Sequence, residues 1–378
     1  MSIQRDPIYL DHNATTPVHP EVFEAMVPFL REGFGNPSSG HVYGLRARAA
    51  VERSRVAVAG LLGCSTDEVV FTSGGTESNN LAIRGAAAAH PEKRHLITSA
   101  VEHPATRLPC RYLAERGLEV EWIPVDGTGT VDPDAVGEVL RDDTLLVTLM
   151  LANNETGTIM PVGEVARLAH GRGILVHTDA AQAVGKIPVR VDVLQVDLLS
   201  IAGHKLYAPK GIGALFVRGG VELSPVLLGG GQERGLSPGT ENVAYIVGLG
   251  RACELAAADL EVEARRQRTL VDRLWDLLSE AVPGLRLNGH RSQRLPNTLN
   301  VSFPGAAGSR ILARTDGLAA STGSACHEGA EIPSQVLTEM GLTQEEAFGA
   351  IRLSVGRSTT EQDIDIAAHI LVRAWQES

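Results

Sequence analysis

Ile174-Leu175-Val176-His177-Thr178-Asp179-Ala180-Ala181-Gln182 reads as a strand that ends in polar residues. Its apolar residues do not alternate with polar ones, as expected of a strand covered on both faces. Similar runs lie on either side: Val69 to Phe71, His95 to Ser99, Leu118 to Pro124 and Leu145 to Met150 before it, Leu198 to Ile201 and Gly213 to Val217 after it. Helical patterns separate many of them, so the spacing predicts an α/β domain with a mostly parallel sheet.

Beyond the Gly-rich segment Gly229 to Gly239, Val243 to Ala281 is rich in Ala, Leu, Glu and Arg and predicts one long helix, stopped by Pro283-Gly284. A mixed set follows. Strands are expected at Asn297 to Val301, Leu318 to Ser321 and Ile351 to Val355, and helices near Glu331 to Met340 and Glu361 to Trp375. The expected division is a large domain over residues 15–256 and a smaller α+β domain from residues 1–14 and 257–378.

The 378 residues are 43% hydrophobic and 21% charged, the balance of a globular protein with a large core. A net charge of −11 without a long basic run argues against direct nucleic-acid binding. Cys64, Cys110, Cys253 and Cys326 are widely spaced, which predicts neither a disulfide framework nor a metal site. No stretch has the apolar length of a membrane span, and Met1 to Ile8 lacks the order of a signal peptide. The expected location is the cytoplasm, where thiols stay reduced.

Three features converge on one chemistry. Phe71-Thr72-Ser73-Gly74-Gly75-Thr76 follows a strand and opens a helix, which suits a phosphate, although a Gly-Gly turn with a Thr cap explains it equally well. Asp179 stands at a strand's C-terminal end, where open α/β sheets bind ligands, although a lone Asp there is more often a turn or cap residue. Ser200-Ile201-Ala202-Gly203-His204-Lys205 delivers a lysine from another strand. A lysine, an anion for a pyridinium nitrogen and a phosphate cup are the requirements of pyridoxal phosphate (PLP).

The chain resembles the fold-type I PLP enzymes and, within them, the NifS/IscS-type cysteine desulfurases. The blocks that carry the resemblance include YLDHNATTP (9–17), GNPSSGH (35–41), FTSGGTESNN (71–80), NNETGTI (153–159), HTDAAQAVGK (177–186), GHKLYAPKGIGAL (203–215), PGTEN (238–242) and STGSAC (321–326). It implies that Lys205 forms the Schiff base, Asp179 pairs with the pyridinium nitrogen, Gln182 donates to the ring's phenolic oxygen and His103 stacks on the ring. By the residues alone a helix-start histidine before Pro104 is the favoured reading, since Pro suits a first helical position. The resemblance further implies that Gly75, Thr76 and His204 hold the phosphate, joined by Thr240 from the second subunit of a homodimer, and that Asn154 and Arg352 meet the substrate carboxylate.

Cys326 is implied as the nucleophile that takes sulfur from L-cysteine, leaving L-alanine and a persulfide. The acceptor would be an iron–sulfur scaffold, a tRNA thiolation enzyme or a DNA phosphorothioation pathway. Selenocysteine lysis, a cysteine C–S lyase reaction without a persulfide, and a sulfur-relay scaffold with impaired chemistry remain as alternatives. Two positions depart from the family's usual text: Ala202 stands where Ser is common, and Ser237 where Arg is common. Arg310 to Leu318 also reads differently. Weaker cofactor binding or activity is the expected consequence.

Overall fold

A computed structural model describes residues 6–322 and 332–378. Its strands are β1 (Ile8–Tyr9), β2 (Val69–Thr72), β3 (His95–Ser99), β4 (Glu119–Ile123), β5 (Thr144–Met150), β6 (Leu175–Asp179), β7 (Leu198–Ala202), β8 (Gly213–Val217), β9 (Arg286–Asn288), β10 (Thr298–Ser302), β11 (Leu318–Ala319) and β12 (Ala350–Ser354). Seven form one sheet in the order β2-β8-β7-β6-β5-β3-β4. The pairs β3–β4, β3–β5, β5–β6 and β6–β7 are parallel, whereas β8 runs antiparallel to both neighbours. The mostly parallel sheet is therefore as expected.

The unbroken apolar runs follow from cover on both faces. Val69 and Phe71 enter the core on one face, and Val70 between them enters the core on the other. Edge strand β4 instead exposes Glu119 and Glu121, charges that discourage a further strand from pairing there. The helices Gly75–Ala89 and Pro104–Ala114 cover the second face with Leu81, Ala82, Cys110 and Leu113.

A third core lies between the sheet β12-β10-β9 and two helices. Helix Val243–Ala281 has the predicted bounds and serves two cores: Ile246, Leu249 and Cys253 in the first, and Leu270, Val271, Leu274 and Leu278 in the third. The latter four recur at helical spacing on one stripe. Helix Glu361–Gln376 adds Ile364, Ala367 and Leu371. The helix expected near Glu331 to Met340 covers only Gln335–Glu339, with Ser334 as its cap, and sends Val336 and Leu337 into the first core. Among the described residues, no helix is long and apolar enough to cross a membrane.

Candidate active site

The C-terminal ends of the parallel strands build the site. After β2 the chain turns through Gly74, whose φ of 148° disfavours any residue with a Cβ, and helix Gly75–Ala89 begins at once. Gly213 is also constrained, because an added Cβ would lie 2.7 Å from the Gly74 backbone. First-turn N–H groups of a helix lack intrahelical partners, so Gly75 and Thr76 offer donors and positive potential to an anion in the adjoining cavity.

Asp179 ends β6. Its Oδ2 accepts from Asn79 Nδ2 at 2.7 Å, and its Oδ1 accepts from the Ala181 amide at 2.9 Å. Both oxygens keep lone-pair capacity for a donor in the cavity. Lys205 closes the single turn Gly203–Lys205 that follows β7. Its Nζ donates to the carbonyls of Asn13 at 2.6 Å and Ala14 at 2.7 Å. Burial, then repulsion from Arg352, lowers its pKa to about 8, against the opposing pull of Asp11 and Asp179. Near that pH much of the amine is neutral and nucleophilic.

His103 meets its helix-start reading and also lies at the cavity. It caps helix Pro104–Ala114, with Nδ1 accepting from the Ala105 amide at 3.1 Å, and its ring lines the cavity. Burial pushes its pKa down, which leaves the neutral ring with its proton on Nε2. His204 Nδ1 pairs with Thr15 Oγ1 at 3.1 Å. Burial and the neighbouring Lys205, Lys210 and Lys186 push His204 down to about 4.

Gln182 donates Nε2 to the Asn13 carbonyl at 2.9 Å and accepts from Lys186 Nζ at 2.7 Å through Oε1. Arg352 donates Nη2 to Asp11 at 2.8 Å and Nη1 to the Asn154 carbonyl at 3.1 Å. Together with Met150, Ala152, Ala181 and Ala202, these residues surround a cavity of about 430 Å³, within the range of small-ligand sites. Gly75, Thr76, His103, Asn154, Asp179, Gln182, His204, Lys205 and Arg352 all line it.

Thr240 is exposed and does not line the cavity of its own chain. Cys326 lies outside the described residues. On one side of that segment, Ser321 pairs with Arg352 through its backbone, and on the other Ser334 Oγ donates to Glu155 at 2.5 Å. Both chain ends are thus tied beside the cavity. The remaining cysteines are poor nucleophiles. Burial pushes Cys64 and Cys253 up to about 12 and Cys110 higher still.

Residues 8–366 match the aminotransferase class-V family. The chain belongs to that family. It is 48% identical over 369 residues to a cysteine desulfurase IscS of Dictyoglomus turgidum, covering 97% of this chain and 94% of the relative. A solved NifS-like protein superposes with a TM-score of 0.91 at 38% identity, over 98% of this chain and 99% of the other. SspA, solved in complex with cysteine, superposes with a TM-score of 0.82 at 36% identity, over 92% and 98%.

The family's cofactor is PLP, and this cavity fits it. An amine, a carboxylate held by two donors and a helix N-terminus face one space of suitable size. At the two departures, Ala202 adds no hydroxyl to the cavity beside Gly75, and a Cβ on Gly75 would sit 3.2 Å from the Ala202 Cβ. Ser237 donates to Glu77 Oε1 at 2.8 Å, while Glu77 Oε2 accepts from the Ser73 amide at 2.7 Å. The Glu77 carboxylate is thereby held against the loop that leads into helix Gly75–Ala89.

Sequence reasoning assigned no part to Asn13, Asn79 or Lys186. Asn13 is the hub: its carbonyl accepts from both Lys205 and Gln182, and its side chain bonds Lys186, Asn297 and Thr298. Its position inside YLDHNATTP was the available signal.

Proposed function

We propose that this protein is a PLP-dependent cysteine desulfurase that converts L-cysteine to L-alanine and carries the sulfur as a persulfide on Cys326. The carrying observation is the shared cavity of Lys205 and Asp179 at the N-terminus of helix Gly75–Ala89. Gly75, Thr76 and His204 would hold the phosphate, Asp179 the pyridinium nitrogen, Gln182 the ring oxygen, and His103 the ring face. Lys205 would bond the cofactor's carbonyl carbon. When bound, PLP supplies an electron sink for negative charge at the substrate's Cα.

The chain's own groups do the rest. Arg352, with Asn154 beside it, binds the substrate carboxylate. Lys205 Nζ, depressed to about 8, takes the proton from the substrate's Cα. Cys326 Sγ takes the sulfur: the Cβ–S bond breaks, an S–S bond forms, and L-cysteine plus the Cys326 thiol become L-alanine plus the Cys326 persulfide. A second thiol, on an acceptor protein such as an iron–sulfur scaffold or thiolation enzyme, then removes the outer sulfur. Support for Cys326 in this role includes the raised pKa of each described cysteine.

The working form is a homodimer in the cytoplasm, with Thr240 completing the partner's phosphate site. Phe34 stacked on Tyr43 at 5.4 Å, with Val42 and Leu45 also exposed, forms an apolar patch suited to a subunit contact. Within each copy, residues 15–256 form the cofactor-binding domain, and residues 1–14 with 257–378 form the smaller one. Borohydride reduction of the PLP-loaded protein followed by peptide mapping tests the central assignment. The pyridoxyl group is expected on Lys205, and a label on Lys186 or Lys210 would overturn it.

A further inference from the structure

Lys186 is buried four residues after Gln182, and its Nζ meets two oxygens: Gln182 Oε1 at 2.7 Å and Asn13 Oδ1 at 3.1 Å. Neither is a carboxylate. An ammonium held away from water by neutral amides alone is costly, and burial with repulsion from Lys205 and Arg352 pushes Lys186 well below its ordinary range. An apolar side chain of similar length would avoid that cost. A reason for lysine lies in what it does to its neighbour.

A glutamine amide has two ends of nearly equal shape and opposite hydrogen-bonding character. Two neighbours decide which end of Gln182 goes where. Lys186 Nζ turns N–H donors to both Asn13 Oδ1 and the glutamine, so the atom at 2.7 Å is Oε1. The Asn13 carbonyl only accepts, so the atom at 2.9 Å is Nε2. Flipping the amide would set NH₂ against the N–H donors of Lys186 and oxygen against oxygen at once. The orientation therefore follows from the neighbours and leaves Nε2 a second N–H beyond the one given to Asn13, on a residue that lines the cavity.

We propose that Lys186 is a positioning residue that locks the Gln182 amide with Nε2 toward the cavity. The inference rests on the reading that PLP occupies the cavity with its ring oxygen at Gln182. That oxygen accepts, so a flipped amide would oppose two acceptors and weaken binding.

The test uses full-length protein stripped of cofactor and titrated with PLP, for wild type, K186M, Q182L and the double variant. The dissociation constant and the absorption maximum of the bound cofactor are read for each. K186M is expected to bind PLP roughly tenfold more weakly, with its absorption maximum displaced in the direction seen for Q182L. In the Q182L background the same substitution should change affinity by less than about twofold, because its effect acts through Gln182. A wild-type affinity and maximum in K186M, or effects that multiply in the double variant, overturn the proposal while leaving the Gln182 assignment intact. An unchanged maximum in Q182L overturns both. Should K186M fail to fold, K186R decides: a donor-only cation keeps the wild-type maximum, and a displaced one overturns the proposal.

Discussion

Arg352, which lines the cavity, donates Nη2 to Asp11 at 2.8 Å although 341 residues separate them. The same guanidinium donates to the Asn154 carbonyl, and its buried Nε has no hydrogen-bond partner. Asp11 therefore offsets the charge and fixes its aim while donor capacity remains. Replacing Arg352 with Ala is expected to raise KM for L-cysteine by roughly tenfold or more, with a much smaller change in PLP affinity. Steady-state kinetics and cofactor titration check this. An unchanged KM would move the carboxylate anchor elsewhere.

The lowered Lys205 pKa has a defined sign. Its value of about 8 lies below the ordinary 10.5, so the folded state favours the neutral amine. The cost of charging it is absent above the ordinary pKa and grows as pH falls through about 8. In the cofactor-free protein, modification of Lys205 by trinitrobenzenesulfonate should rise with pH around a midpoint near 8, mapped peptide by peptide. Arg352→Ala removes a lowering charge, so the midpoint should move upward. A midpoint near 10.5 in the wild type contradicts the account.

Glu102 carries the opposite sign. It is buried, accepts from Ser99 Oγ at 2.6 Å and from the Met150 amide, and burial raises it to about 8. Its protonated form suits the fold, so its contribution to stability is complete below the ordinary carboxylate range and is lost as pH rises through about 8. Glu102→Gln should leave Tm within about 2 °C at pH 6 and lessen the decline between pH 6 and 9. Calorimetry across that range decides. An undiminished alkaline decline would assign it to another group.

Thr240→Ala should weaken PLP binding even though Thr240 lies outside its own chain's cavity. The expectation follows from a partner's site completed across a dimer. Sedimentation should give two copies per particle, and a monomer that is fully loaded with PLP and active would contradict it.

How much was legible in the sequence depends on range. Strands β3 and β8 and helix Val243–Ala281 have the expected bounds because their apolar patterns are local and long enough to read. Strands β1 and β9 are two and three residues long and exist through distant pairing, β1 with β11 and β9 with β10, which no local pattern announces. The same holds at the site. Lys205 and Asp179 stand out because strands deliver them into loops. Asn79 matters only because 100 residues later the chain brings Asp179 to within 2.7 Å, and Asn13 only because Lys205 returns to it across 192. His103 was ambiguous because one ring both caps a helix and lines a cavity.

The central claim is that sulfur moves from L-cysteine to Cys326. The most direct measurement is mass spectrometry of the PLP-loaded protein after L-cysteine without reductant, run beside Cys326→Ala, with alanine quantified in both. Lys205, Asp179, Gly75 and Thr76 are untouched by the substitution, so L-cysteine should still perturb the variant's absorption spectrum. The wild type is expected to carry added sulfur on the peptide containing Cys326 and to release alanine, whereas the variant yields only traces of either product. Wild-type alanine formation by Cys326→Ala, or added sulfur mapped to Cys64, Cys110 or Cys253, would contradict the account.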